Sequence, residues 1–247
     1  MSRVTVQFLG CGDTFGSGGR FQTCICVRAD AAGFLLDCGT SSLIAMRRFA
    51  VDHGLIDTIL LTHLHGDHFG GLPFFLLEAQ LISRRTKPLT VAGPPGLERR
   101  VCEAMEVLFP GSSTSPRKFP LRFAELHPET RATMGPLAVT PFPVVHPSGA
   151  PAYALRVECG GKVLAYSGDT EWTDALMDAA RGADLFICEA YFFEKKVKYH
   201  LDYRTLRDKR PALTCRRVVL THMSEDMLSR LPEVDAEWAE DGKTFLV

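Results

Sequence analysis

The sequence predicts a mixed α/β protein, on three observations. Short apolar, β-rich runs recur along the chain, helical segments stand between them, and polar clusters sit where several of those runs end. Val4-Thr5-Val6-Gln7-Phe8-Leu9 predicts a strand over 4–9, with further strands at 23–29 and 33–37. Between the first two lies Gly10-Cys11-Gly12-Asp13-Thr14-Phe15-Gly16-Ser17-Gly18-Gly19. It lacks a Gly-Lys-Ser/Thr ending and leads into a strand, so it reads as a hairpin-like loop near the rim of a site, not a phosphate loop. A helix is expected over 42–53 with Ser42 as its cap. Thr58-Ile59-Leu60-Leu61 then reads as a buried strand.

From Phe69-Gly70-Gly71-Leu72-Pro73-Phe74-Phe75-Leu76-Leu77 a very apolar helix extends to about Ser83. A helix apolar on nearly every face must bury all of itself, which leads to the expectation that a second subunit covers part of it in a homodimer. Another helix spans 96–109, and Pro110-Gly111-Ser112-Ser113-Thr114-Ser115-Pro116 reads as a loop. Strands at 119–127, 137–145, 152–158 and 162–166 precede helix 171–181, strand 184–188, helix 202–209, strand 216–221 and helix 224–231, the last capped by Ser224.

A chain of 247 residues buries a substantial core, and one domain over 1–247 is expected because the residues singled out below run from His63 to His222. A net charge of -1 gives no global attraction to nucleic acid. Locally the balance differs. From Glu194 to Arg217, nine Lys or Arg (Lys195, Lys196, Lys198, Arg204, Arg207, Lys209, Arg210, Arg216, Arg217) oppose Glu194, Asp202 and Asp208. That excess reads either as a draw for an anionic substrate or as a solvated helix face. The N-terminus enters a strand without a signal-peptide layout, and no apolar run reaches about 18 residues, so a cytoplasmic location and no membrane partner are expected. Eight scattered cysteines then read as reduced thiols, with Cys24-Ile25-Cys26 as core cysteines in a strand rather than an extra zinc site.

Six of the eight histidines form an ordered series: Thr62-His63-Leu64-His65-Gly66-Asp67-His68, then His146, His200 and His222, with Asp169 among them. At the end of a strand, residues at i and i+2 project to one side, so His63 and His65 can grip one cation while Asp67 and His68 point toward a second. Gly66 permits the tightening turn between them. Imidazole and carboxylate ligands together suit zinc, with manganese or iron as the other options. Val163-Leu164-Ala165-Tyr166 ends at Ser167-Gly168-Asp169, and Val218-Val219-Leu220-Thr221 ends at His222, so two further strands deliver a ligand type at their tips. His146 lies in an extended stretch before Pro147.

The pattern His-x-His-x-Asp-His followed by a distant His, Asp and His resembles the metallo-β-lactamase superfamily, over nearly the whole chain from Val4 to the C-terminal strand. The resemblance implies an αβ/βα four-layer sandwich: two mixed sheets flanked by helices, with metals at one edge. It implies His63, His65 and His146 at one metal, Asp67, His68 and His222 at the other, and Asp169 between them. Within the superfamily, Ser167-Gly168-Asp169-Thr170, Cys188-Glu189-Ala190, His200 and Leu220-Thr221-His222-Met223-Ser224 resemble the ribonuclease Z and phosphodiesterase branch. There, the resemblance implies that His200 faces the scissile phosphate as a proton handler, oriented by Glu189.

A dinuclear hydrolase is therefore expected, in which two divalent cations share a water and Asp67 holds the bridging hydroxide by a hydrogen bond. A phosphodiester is the first choice of substrate. Only 22 residues separate His146 from Asp169, where the ribonuclease Z proteins commonly insert a substrate-gripping arm, so a cyclic nucleotide or short phosphodiester fits better than transfer RNA. Longer nucleic acid stays open at this stage. So do acyl hydrolysis of a lactone, thioester or β-lactam, and a non-catalytic metal-containing binding protein. A structural zinc site closes its coordination with protein ligands, and an added His200 has no place in it.

Overall fold

The computed structural model describes residues 3–29 and 32–247. Its strands in chain order begin with β1 (Thr5–Gly10), β2 (Cys24–Ala29), β3 (Ala32–Leu36), β4 (Thr58–Leu60) and β5 (Leu89–Gly93). β6 (Leu121–Glu125), β7 (Ala132–Met134), β8 (Leu137–Val144), β9 (Ala152–Cys159) and β10 (Lys162–Tyr166) follow. The last are β11 (Leu185–Glu189), β12 (Val218–Thr221), β13 (Glu237–Trp238) and β14 (Thr244–Leu246). The helices are α1 (Ser42–Arg48), α2 (Gly66–Phe69), α3 (Leu72–Leu81), α4 (Leu97–Leu108), α5 (Ala175–Ala180), α6 (Tyr203–Lys209) and α7 (Glu225–Ser229).

Two seven-stranded sheets form, in the orders β14-β1-β2-β3-β4-β5-β6 and β13-β12-β11-β10-β9-β8-β7. Each mixes antiparallel pairs with a parallel run: β3 to β6 in the first sheet, β10 to β13 in the second. Alternation along the strands explains the layers. Val6, Phe8, Ile25, Val27, Phe34 and Leu36 face Val139, Leu155, Val157, Leu164, Ile187 and Val219 in a core between the sheets. The alternate residues Leu9, Leu35, Ile59 and Val91 pack outward on Met46, Leu72, Leu76 and Val101 of α1, α3 and α4. On the far side Ala165, Phe186 and Leu220 pack on Leu176, Leu206 and Met227 of α5, α6 and α7. The result is the four-layer helix–sheet–sheet–helix sandwich expected from the resemblance.

The two sheets touch at one point that matters for the site. The amide of Tyr153 on β9 donates to the carbonyl of Thr62, at 3.0 Å. Gly168, just past β10, has φ +58°, and a Cβ there would stand 2.9 Å from the Thr62 Cβ. Only glycine therefore lets the end of β10 reach the end of β4.

Several boundaries depart from the sequence reading. The helix expected over 42–53 stops at Arg48, and Ser41 rather than Ser42 holds the N-cap position; residues 49–52 are irregular and a 3-10 turn follows at His53–Leu55. Ser224 stands at the N-cap of α7 as expected, but its hydroxyl donates to the carbonyl of Tyr191 instead of capping the helix. β5 and β7 were not among the expected strands: β7 is a three-residue edge strand, and β5 follows a Pro-containing stretch whose periodicity is too short to read. Helix α3 does not bury all of itself. Its core face is buried and Phe74 meets Phe109 edge-on at 5.3 Å, while Leu81 and Ile82 at its end stay exposed. All eight cysteines are free, and Cys24 and Cys26 are buried in β2 among the outer core residues.

Candidate metal centre

The parallel strands of both sheets send their C-terminal ends to a shared edge, the usual place for a site in such sheets. β4 ends just before His63, β10 before Asp169, and β12 before His222; α2 carries Asp67 and His68. His146 follows β8, and the loop after β11 brings His200 back over the same edge. Two of these strand ends turn through left-handed backbone, at Gly168 (φ +58°) and at His222 (φ +56°). For a histidine that conformation costs about 1–3 kcal/mol. The cost is met where it aims the ring away from the strand and into the site.

Two sets of ligand atoms gather there: His63, His65 and His146, and beside them Asp67, His68, Asp169 and His222. These are the seven residues expected to hold metals. The Asp169 carboxylate stands between the sets. Its Oδ2 lies 3.2 Å from His222 Nε2 and 3.9 Å from both His63 Nε2 and His146 Nε2, and its Oδ1 lies 3.3 Å from His68 Nε2. Asp67 Oδ2 lies 3.4 Å from His68 Nε2 and 3.9 Å from His222 Nε2. His65 Nδ1 and His146 Nε2 face each other at 3.0 Å.

The opposite edges of the rings are tied down. The imidazole Nδ1 of His68 meets Asp37 Oδ2 at 2.7 Å, and that of His63 meets the Thr62 hydroxyl at 3.0 Å. His146 Nδ1–H donates to the carbonyl of Tyr199 at 2.9 Å, and His222 Nδ1 meets the Thr23 hydroxyl at 3.3 Å. Four rings are thereby oriented with Nε2 inward, as the outer partners of metal-bound histidines orient them. Asp37 also accepts from the Thr62 amide and hydroxyl, at 2.8 and 2.9 Å, so one buried carboxylate fixes two neighbouring strand ends.

The buried polar atoms test whether a divalent cation fits. His63 Nε2, His68 Nε2 and Asp169 Oδ1 are buried and make no hydrogen bond of acceptable geometry, although such groups are nearly always paired. Burial weighs against a charged His68, yet the carboxylates of Asp169, Asp67 and Asp37 outweigh it and hold its pKa well above the ordinary value. Burial would raise the Asp169 carboxyl, but the imidazoles of His222, His68 and His63 hold it well below the usual range. Burial, aided by the charge of His68, pushes His63 the other way, toward the neutral form that ligates. Inward nitrogens without partners, converging on clustered carboxylates, are the donor set that a divalent cation completes.

Beside these sets a cavity of about 380 Å³ is lined by Thr14, Phe15, His65, Asp67, His146, Asp169, Tyr191, His200 and His222, among others. His200 Nδ1 meets Glu189 Oε2 at 3.0 Å, while Glu189 Oε1 accepts a short bond from the Thr170 amide. Burial pushes the Glu189 carboxyl up to about 8 against the pull of His200. Burial also weighs against a charged His200, but the hydrogen bond and charge of Glu189 prevail and lift it above its ordinary value. Both shifts run in the same direction, toward holding a proton within the pair. His200 also lies within ligand distance of His146 and Asp169, a third set that shares its members with the first two.

The glycine-rich loop lies at the rim as expected, through Thr14 and Phe15. The basic stretch contributes less charge than its count. Arg204 pairs with Glu194, Arg216 with Asp184, and Arg217 with Glu237. Lys195, Lys196 and Lys198 make no ion pair among the described residues, and they lie two to five residues before His200. Asp37 and Tyr191 were not singled out from the sequence. Asp37 carried a usable signal: an acid closing the apolar strand Phe34-Leu35-Leu36 repeats the layout that marks Asp169 and His222. Tyr191, whose ring lies 4.6 Å from that of His200, carried none.

The beta-lactamase superfamily domain matches residues 33–223, well over half of the chain. The chain belongs to the metallo-β-lactamase superfamily. Within it the chain stands in the ribonuclease Z-like branch. It is 28% identical over 239 residues to ribonuclease Z of Lachnoclostridium phytofermentans, covering 78% of this chain and 76% of the relative. It is 27% identical to ribonuclease Z of Bacillus cereus, with 97% and 98% covered. That comparison extends over 307 residues, longer than this chain, so the relative carries segments without a counterpart here. The crystal structure of human tRNase Z, short form, superposes with a TM-score of 0.79 at 25% identity and 98% coverage of both chains.

The tie between Asp37 and His68 is testable. Asp37→Asn keeps the shape but loses the charge that orients and polarises the ring, so metal affinity should fall about 10- to 100-fold. Competition titration against a chromogenic chelator reads this directly; affinity equal to that of the parent protein would show that Asp37 plays no such part.

Proposed function

We propose that this member of the superfamily is a dinuclear metal-dependent phosphodiesterase acting on a cyclic or short phosphodiester. His63, His65 and His146 would hold one divalent cation, Asp67, His68 and His222 the other, with Asp169 shared. Zinc suits this nitrogen-rich set, with manganese or iron as alternatives. When bound, the pair supplies Lewis acidity: it acidifies water and neutralises charge on the phosphoryl oxygens.

The chain's own residues supply the rest. Asp67, which lines the cavity beside His68 and His222, would accept a hydrogen bond from the attacking water and keep it aligned. His200, protonated through Glu189, stabilises the charge developing on the phosphoryl group and gives its proton to the leaving oxygen. Glu189 touches no substrate and acts by holding the tautomer and charge of His200. Lys195, Lys196 and Lys198 add positive charge to the approach.

The observation that carries this reading is the His200–Glu189 pair, a proton donor on the cavity wall beside metal ligand sets that are complete without it. A compact substrate is supported by the interval between His146 and Asp169, which β9 and β10 fill as a hairpin turning at Gly160–Gly161. That hairpin lies within the sheet and offers no arm. A reducing, cytoplasmic compartment belongs to the same proposal, since eight cysteines stay unpaired. So does pairing of two chains, supported by Leu81, Ile82, Val107 and Leu108 remaining exposed on α3 and α4. Light scattering at micromolar concentration should then give twice the chain mass, and a monomer would contradict the pairing.

Turnover of bis(p-nitrophenyl) phosphate, assayed beside a lactone and a thioester, tests the reaction class. Phosphodiester hydrolysis should dominate, and His200→Ala should lower kcat about 10²- to 10⁴-fold while two metals remain bound. Preferred turnover of the lactone or thioester would replace this reading with acyl hydrolysis. Two bound metals and no turnover of any ester would leave a binding protein.

A further inference from the structure

Phe15 combines exposure with constraint in a way the hydrolytic machinery does not require. It lines the cavity that holds His65, His146, His200 and His222, yet 81% of its surface is open to solvent. Removing a phenylalanine ring from water is favourable, so a loop free to fold inward would cover it. This loop is not free. The Asp13 carboxylate, itself buried, accepts from the Ser17 amide at 2.9 Å and from its hydroxyl at 2.8 Å. The carbonyl of Thr14 accepts from the Gln22 side chain at 3.2 Å. The Gly18 amide donates to Glu225 on α7 at 2.6 Å. Gly16, at φ +70°, makes the turn directly after Phe15 and donates to the Asp13 carbonyl. The backbone that carries the ring is thus fixed on both sides of it, at the mouth of the cavity.

We propose that Phe15 is a stacking platform for a nucleobase, so that the substrate is a nucleoside phosphodiester whose base rests at the rim while its phosphate lies at the metals. This rests on the phosphodiesterase reading and names the substrate class within it. The chemistry agrees on both sides. A rigid, exposed aromatic face gains from any base, because every base presents a π-face. The cavity, at about 380 Å³, lies within the ~300–1,000 Å³ range of small-ligand sites, room for one nucleotide rather than a duplex. No base-edge donor or acceptor is required of the rim, so the platform selects for a base without choosing among bases.

Two measurements test it, one independent of turnover. Calorimetry on the metal-loaded protein compares thymidine 5′-monophosphate with inorganic phosphate, for the parent protein and for Phe15→Ala and Phe15→Trp. The nucleotide should bind more tightly than phosphate; Phe15→Ala should reduce that preference about 5- to 150-fold, and Phe15→Trp should restore it. Kinetics then compares thymidine 5′-(p-nitrophenyl phosphate) with methyl p-nitrophenyl phosphate, which share a leaving group. The ratio of their kcat/KM values should fall in Phe15→Ala by a similar factor. Equal binding of nucleotide and phosphate by the parent protein, or a preference unchanged in Phe15→Ala, would overturn the platform. So would a Phe15→Ala protein whose only change is its oligomeric state. If neither ester is hydrolysed by the parent protein, the phosphodiesterase reading fails, and the calorimetry still decides the role of Phe15.

Discussion

The Asp169 carboxylate has to stand among four buried imidazoles supplied by three other parts of the chain, and much of the architecture follows from that requirement. A buried carboxylate is costly unless opposite charge surrounds it, and burial in turn weighs against the charged form of the His63 and His222 rings beside Asp169. Each group is tolerable only beside the others. The sheets must therefore bring β4, β10 and β12 to one edge, and Gly168 must let the end of β10 approach to within contact of Thr62 at the end of β4. The outer ties through Asp37, Thr62, Thr23 and the Tyr199 carbonyl keep the rings from turning away.

That arrangement separates two kinds of chemistry in a small volume. On one side, unpaired nitrogens and clustered carboxylates call for divalent charge. Beside them, His200 and Glu189 are joined by a 3.0 Å contact and stand outside the two ligand sets that share Asp169 as a boundary. The separation matters because hydrolysis of a phosphodiester needs both a nucleophile at neutral pH and a donor for the departing oxygen. Tyr191 lies against His200 and His222 and carries the carbonyl that anchors Ser224, so it joins the donor side to the end of β12.

Much of this was readable from the residues alone. Ligand types at the tips of apolar runs, as in Leu60-Leu61-Thr62-His63 and Leu220-Thr221-His222, mark strand ends that converge, because a buried strand places its last polar residue at the sheet edge. The two-sheet sandwich followed from resemblance, not from periodicity. Helix ends were less readable: the helix expected to run to His53 ends at Arg48, and the chain turns at His53–Leu55. Asp37 stands where a site residue can stand, but in the sequence it reads as an ordinary strand terminus. The exposure of Phe15 was not legible, since it depends on Asp13, Gln22 and Glu225 meeting around one loop from distant parts of the chain.

Side chains from separate strand ends would together hold two cations around Asp169. Anomalous diffraction from crystals of the zinc-loaded protein measures this directly. Two peaks are expected about 3.5–4 Å apart, one beside His63, His65 and His146 and the other beside Asp67, His68 and His222, with Asp169 beside both. A single peak, or zinc bound away from Asp169, would contradict it.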